Sequence, residues 1–86
     1  MKYVIFKSKG TYNPVVFPDH IAHSQIKMDE CEVFSAGFIE LGSFGIKRVY
    51  GRSESLDIGR SELDFDILQK WYLNMGTSSF LKTEIN

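Results

Sequence analysis

The chain is predicted to adopt an α+β fold: a curled antiparallel sheet of four to five strands with one C-terminal amphipathic helix packed on it. Three observations predict it. Between Leu63 and Met75 the apolar residues Leu63, Ile67, Leu68, Trp71, Tyr72 and Met75 recur at helical spacing, with polar residues opposite. Upstream, short runs rich in aromatic and β-branched residues alternate with glycine and proline. Several of these runs carry large apolar side chains on both faces, which one helix cannot cover. The sheet is therefore expected either to curl into a half-barrel with the helix plugging its open side, or to leave one face to a partner.

The first strand is expected over Lys2 to Ser8, where Tyr3 and Ile5 alternate with Val4 and Phe6. A second, short one is expected over Val15 to Phe17, bounded by Pro14 and Pro18. Pro18 to Met28 reads as a structured crossover, in which Asp19 can cap a single turn. Cys31 to Leu41 forms the bulkiest strand; strict alternation sets Val33 and Ile39 against Phe34 and Phe38, and Gly37 admits the close approach of another backbone or helix. Gly42-Ser43-Phe44-Gly45 then supplies a tight reversal into Ile46 to Tyr50. Gly51 marks a bulge or bend before a last short run, Ser55 to Ile58. The helix opens on Ser61 with Asp64 three residues on, a variant of the capping box, with Asp64 and Asp66 on its solvated arc. Gly76 is the expected stop, Phe80, Leu81 and Ile85 can dock as an extra strand or turn, and residues 77–86 are expected to form a partly frayed tail.

A chain of 86 residues organises around a single core, so residues 1–86 are read as one globular domain. Its 43% hydrophobic and 24% charged residues are ordinary for a packed domain and exclude a disordered one. The formal charge of -1 excludes a whole-molecule field that would hold it on nucleic acid or an anionic membrane. Tyr3 to Phe6 is too short for a signal peptide, and no apolar run approaches the roughly 20 residues that span a bilayer, so a cytoplasmic location is expected and no membrane role. Cys31 lies among Asp29, Glu30 and Glu32, surroundings unlike those of a nucleophilic cysteine.

Chemistry-bearing patterns are sparse. His20 and His23 form the only pair with metal-ligand spacing, and with one cysteine and no second pair they fall short of a zinc set; one histidine is expected to pack and the other to be solvated. Ser53, Ser55 and Ser61 lack a nucleophile-elbow context, and no phosphate-binding or dinucleotide fingerprint is present. The chain thus reads as non-enzymatic, with no cofactor. Charge is uneven along it: residues 19–40 sum to -4, whereas residues 41–60 sum to +2 through Lys47, Arg48, Arg52 and Arg60. With Tyr50 and Phe44 nearby, those cations suit either a protein partner or a single-stranded nucleic acid. Alternation, which sends Lys47 and Arg48 to opposite faces, speaks against the second.

Read together, Val15-Val16-Phe17-Pro18, His23-Ser24, Ser35-Ala36-Gly37-Phe38 and Gly51-x-Ser53-x-Ser55-Leu56, set ahead of the acidic helix, resemble a family of small uncharacterised proteins encoded by phages and prophages. The resemblance spans about residues 2 to 73. It implies a phage-linked cytoplasmic setting, in which compact modulators and inhibitors of host or defence proteins are common, and it singles out His23, Gly37, Phe38, Ser53 and Ser55. The expected function is a protein-binding module whose surface draws on Arg48, Tyr50, Arg52, Ser53, Ser55 and the acidic side of the helix. A homodimer formed through an uncovered sheet face is compatible with it, and a single-stranded nucleic-acid binder is the alternative.

Overall fold

Lys9 and Gly10 both take positive φ, 49° and 80°, which is the two-residue turn that matches strand twist and folds β1 (Lys2–Ser8) onto β2 (Thr11–Phe17). The computed structural model describes residues 1–85, with side chains through Asn74. β2 is longer than expected because it runs straight through Pro14. Ser8 and Thr11 flank the turn as a hydrogen-bonded pair, so by alternation Ile5 and Pro14 form a pair that exchanges no ladder bonds, and the missing N–H disturbs nothing.

A crossover with one 3-10 turn, His23–Gln25, leads to β3 (Glu32–Gly42), and the expected hairpin leads on to β4 (Gly45–Tyr50). The four strands form one antiparallel sheet in the order β2-β1-β3-β4. A small ribbon, β5 (Arg52–Ser53) with β6 (Ile58–Gly59), precedes helix α1 (Asp64–Ile85).

The sheet is not curled, which corrects the expected half-barrel. β2 and β4 stand at opposite edges and do not pair. Pro14 interrupts the outer edge of β2. The outer edge of β4 is taken by side chains: the Ile46 N–H donates to Gln69 Oε1 at 2.9 Å, and Arg60 donates to the Val49 and Gly51 carbonyls at 3.3 and 3.1 Å. Closure is also unnecessary, since each face has its own cover. On one face Tyr3, Ile5, Ile39 and Ile46 pack around Leu68 of α1. On the other, Val4, Phe6, Phe17 and Ala36 lie under Ile21, Ile26 and Met28 of the crossover and Leu56 and Ile58 of the ribbon. The uncovered sheet face with which a homodimer was compatible is therefore filled by the chain itself. No helix among the described residues is long and apolar enough to cross a membrane.

Two bulges correct the expected alternation. Ile5 pairs with Ser35 but Phe6 pairs with Val33, so Phe34 is the extra residue, and beyond it every side chain changes face. Phe34 thus joins Ile39 on the helix face, while Val33 joins the opposite core. Lys47 is skipped where Glu40 pairs with Arg48 and Leu41 with Ile46. Lys47 and Arg48 consequently reach the same carboxylate of Glu40, at 3.7 and 2.6 Å, rather than pointing to opposite faces.

The helix follows the same logic. Its inward stripe is Asp64, Ile67, Leu68, Trp71 and Tyr72, with Leu68 fully buried and Trp71 only half-buried, whereas Leu63 is 46% exposed. A carboxylate holds the first inward position, so Asp64 is not on the solvated arc where it was expected. The capping box forms: the Ser61 N–H donates to Asp64 Oδ2 at 3.0 Å, and the Leu63 N–H donates to Ser61 Oγ at 3.0 Å. The same carboxylate also accepts from Tyr3 Oη at 2.5 Å, Ser35 Oγ at 2.6 Å and Ser61 Oγ at 2.8 Å, which ties the helix start to β1 and β3. The helix does not stop at Gly76 but runs to Ile85. Phe80, Leu81 and Ile85 therefore lie in the helix and not in an extra strand or turn; the packing expected of Met75 and the final residue of the expected frayed tail lie outside the described residues.

Candidate functional site

The register of the sheet sets Phe17, Lys2, Phe38 and Tyr50 side by side across all four strands, on the face away from α1. Phe38 and Tyr50 stack at 5.6 Å with 22° between their planes, and the Arg48 guanidinium lies 4.4 Å from the Tyr50 centroid. Lys2 Nζ stands 5.9 Å over the Phe38 ring while donating to the Ile21 carbonyl at 2.9 Å. A cationic and aromatic row results, closed at its β2 end by buried Phe17 and left 37% exposed at Tyr50 on β4.

His23 is set into this row from the crossover. It is 3% exposed, and its ring meets Phe17 and Phe38 edge-on, each at 5.5 Å. Nε2 lies 2.9 Å from the Gly37 carbonyl oxygen; because a carbonyl only accepts, Nε2 carries the hydrogen, and in the neutral ring Nδ1 is then the acceptor. His20, by contrast, is exposed, and the described residues hold no group of three histidine, cysteine or acidic side chains that could take a metal. Of the two histidines, one is packed and the other is solvated.

Two glycines make the row possible. Gly51 takes φ +71°, and a Cβ there would come within 2.8 Å of Phe38 Cδ1, so the bend after β4 needs both the conformation and the space. A Cβ on Gly37 would stand 2.9 Å from the Tyr50 carbonyl oxygen, which bears out the close backbone approach expected at that position.

Beside the row lies an open cleft of about 490 Å³, formed by Lys2, Ala22, His23, Phe38 and the segment carrying Gly51, Arg52, Glu54 and Ser55. The structure therefore brings together most of the residues singled out from the sequence. Arg48 and Tyr50 belong to the row, and Arg52 and Ser55 line the cleft. Ser53 is an exception: it is fully buried, and its Oγ accepts the Leu56 N–H at 3.1 Å, so it builds the ribbon's turn and is closed to a ligand. Ser55 Oγ accepts the Ser24 N–H at 3.2 Å and ties the ribbon to the crossover. The acidic side of the helix lies across the sheet from the row and shares no surface with it, and with Asp64 buried its exposed acids near the N-terminus are Glu62 and Asp66.

Sequence reasoning missed Lys2 and Glu40. Counting back from the Lys9-Gly10 turn pairs Lys2 with Phe17, so the signal for Lys2 was available. For Glu40 it was hidden by the bulge at Lys47. Glu40 takes the Arg48 guanidinium as a hydrogen-bonded ion pair, with the Lys47 ammonium beside it, and both hold its carboxyl below the usual carboxylate range. Arg52 is paired with Asp57 at 2.5 Å.

A wider depression of about 760 Å³ lies on the other side of Arg52, between Gly51, Gly59, Arg60 and the start of the helix. It has no aromatic wall, and its Arg60 is engaged by the two carbonyls at the β4 edge. The cleft beside the row is the better-built site. Compared with family models, with curated proteins and with solved structures, the chain matches none.

Proposed function

We propose that the protein is a small non-enzymatic binding module that recognises a protein partner through the row Arg48, Tyr50, Phe38 and Lys2 and the cleft beside it. The observation that carries this is the state of the cations. Arg48 is bonded to Glu40, Arg52 to Asp57 and Lys2 to a main-chain carbonyl, while the Tyr50 ring remains partly open between Arg48 and Phe38. Of these three cations Arg48 and Arg52 are each paired with an acid and only Lys2 lacks an ion pair among the described residues, so the row suits the mixed polar and aromatic centre of a protein interface. A nucleic-acid site depends instead on cations free to displace counterions from phosphates. The two aromatic residues considered for base stacking also lie apart. Phe44 is at the tip of the β3–β4 hairpin, 94% exposed, and Tyr50 is at the far end of β4. At about 3.3 Å per residue that is roughly 15–20 Å. The phage-linked resemblance makes a host or defence protein the class of partner expected.

Affinity capture from lysate of the source organism, with crosslinks mapped to residues, tests the proposal. Crosslinks are expected around Lys2, Arg48 and Arg52, and Tyr50→Ala is expected to reduce capture at least tenfold, as a central interface aromatic does. Capture that is indifferent to Tyr50→Ala and Arg48→Ala overturns it. So does retention on single-stranded DNA or RNA that falls steeply with salt and is lost in Arg48→Ala.

A further inference from the structure

His23 carries a polar atom that the fold does not use. Its ring is almost wholly buried and fixed by the bond from Nε2–H to Gly37 and by the edges of Phe17 and Phe38. Nδ1 has no hydrogen-bond partner among the described residues, yet it is not sealed from solvent, since no buried side-chain nitrogen or oxygen is left unpartnered there. His23 is among the residues that line the cleft, and an Nδ1 that is neither bonded nor sealed is taken to face it. A histidine held this rigidly presents one hydrogen-bond acceptor at a fixed point, and an acceptor selects a ligand that brings an N–H or O–H.

The charges around the cleft ask for something further. Lys2 makes no ion pair among the described residues; its ammonium donates to the Ile21 carbonyl and has further donors to offer. Arg52 is paired through one terminal nitrogen with Asp57, whose side chain is 91% exposed, so the pair is a weak one and the rest of the guanidinium fork is open. Glu54 is the only acid among the lining residues. Phe38 supplies an apolar wall beside both the His23 ring and the Lys2 ammonium.

We infer that the cleft is a subsite for an aspartate within an extended acidic segment of the partner, its main-chain N–H donated to His23 Nδ1 and its side-chain carboxylate received by Lys2 and Arg52. It rests on the protein-binding reading above and specifies the chemistry of the segment. An aspartate joins a main-chain donor and an acceptor-only anion within one residue, with a short side chain between them, which suits a cleft lined by an imidazole and two cations. The cleft is open to solvent rather than enclosed, which suits a chain passing through it.

The experiment is a titration of the ¹⁵N-labelled protein with acetyl-Ala-Asp-Ala-amide, followed by amide chemical shifts. Shifts are expected at His23, Phe38, Arg52 and Ser55. The Asn counterpart is expected to bind about tenfold more weakly, because charge-assisted bonds are about twice as strong as neutral ones. The peptide methylated at the Asp nitrogen is expected to bind about fivefold more weakly, having lost one ordinary hydrogen bond. Lys2→Gln should weaken the Asp peptide about as much as the Asn replacement does, and His23→Gln should erase the effect of methylation. If His23→Gln does not fold, Lys2→Gln and the three peptides still decide the matter. Equal binding of the Asp and Asn peptides, shifts that map away from the cleft, or acetate alone binding as tightly as the peptide overturns the inference. Loss of capture in Tyr50→Ala with an unresponsive cleft removes this inference and leaves the binding module standing; capture indifferent to the row removes the module itself.

Discussion

On the helix face of the sheet the buried polar group is Asp64, and each of its oxygens accepts two hydrogen bonds, from Ser35 and Ser61 Oγ on one side and from Tyr3 and the Ser61 N–H on the other. Across the sheet it is His23, with Nε2 bonded to Gly37 and Nδ1 unclaimed. Desolvation is costly in both places, and the chain meets the cost differently. A carboxylate with every lone pair engaged by its own protein has nothing left to offer and acts as a rivet between β1, β3 and the start of α1. A histidine fixed by one nitrogen and open at the other is rigid and still has bonding capacity. Burial alone therefore does not mark a functional residue; the capacity left over after the internal bonds are counted does.

The largest expected effect comes from removing the rivet. Asp64→Ala takes away the capping carboxylate and strands the buried Tyr3 and Ser35 hydroxyls. With about 1 kcal/mol for the cap and roughly 1–3 kcal/mol for each stranded group, the expected destabilisation is about 4 kcal/mol. Urea unfolding measures it. Asp64→Asn keeps one acceptor oxygen and should lose about half as much. If Asp64→Ala costs no more than an exposed substitution such as Asp66→Ala, the helix face is not held by this network and the contrast with His23 collapses.

A second break falls on the cleft face. Gly51→Ala places an L residue at φ +71° and drives its Cβ into the Phe38 ring. The left-handed backbone costs about 1–2 kcal/mol, and displacing the ring adds about 1 kcal/mol, so a loss of about 2–3 kcal/mol is expected in urea unfolding. More telling is where the damage goes. Ring-current shifts of Tyr50 and His23 should change, since Phe38 touches both, while the Tyr3 and Ser61 signals stay in place. Disturbance spreading to the helix network would show that the two faces do not behave as separate units.

Much of the fold was legible because periodicity and turn chemistry are local. The helix, its capping box, the Gly42–Gly45 reversal and the close approach at Gly37 all follow from residues within a few positions of one another. The misplaced features depend on pairing. Phe34 and Lys47 are bulged residues, and whether a strand carries an extra residue is decided by its neighbour, so strict counting put Val33, Phe34 and Lys47 on the wrong faces. The curl was inferred from apolar residues on both faces, but the second cover comes from the crossover and a two-residue ribbon too short to show a period. Asp64 was misread because a polar residue on an apolar stripe is usually taken as the edge of the stripe; its spacing to Ile67, Leu68, Trp71 and Tyr72 was the available clue. At the site, Arg48, Tyr50 and Arg52 were visible as an arginine and aromatic cluster, whereas the partners that compensate them, Glu40 and Asp57, become apparent only with the register and the ribbon turn.

The smallest expected effect sharpens the account of the rivet through pH. Burial, followed by the hydrogen bond to Asp64 and the charge of that carboxylate, raises the Tyr3 hydroxyl well above its ordinary value. For a group whose folded value is raised, the stabilisation is fully present below the unfolded value, near 10 for a tyrosine, and is lost as pH rises above it, because the unfolded chain releases the proton while the folded chain retains it. Tyr3→Phe removes the hydroxyl and leaves Asp64 with its other three donors, so the expected loss at neutral pH is about 1 kcal/mol. Between pH 9 and about 11 the wild-type stability should fall more steeply than that of Tyr3→Phe, since only the wild type carries this proton into the transition. Parallel curves over that range would mean that the Tyr3 hydroxyl is not held by Asp64 in solution, and the carboxylate would then have an oxygen with capacity to spare, as His23 has a nitrogen.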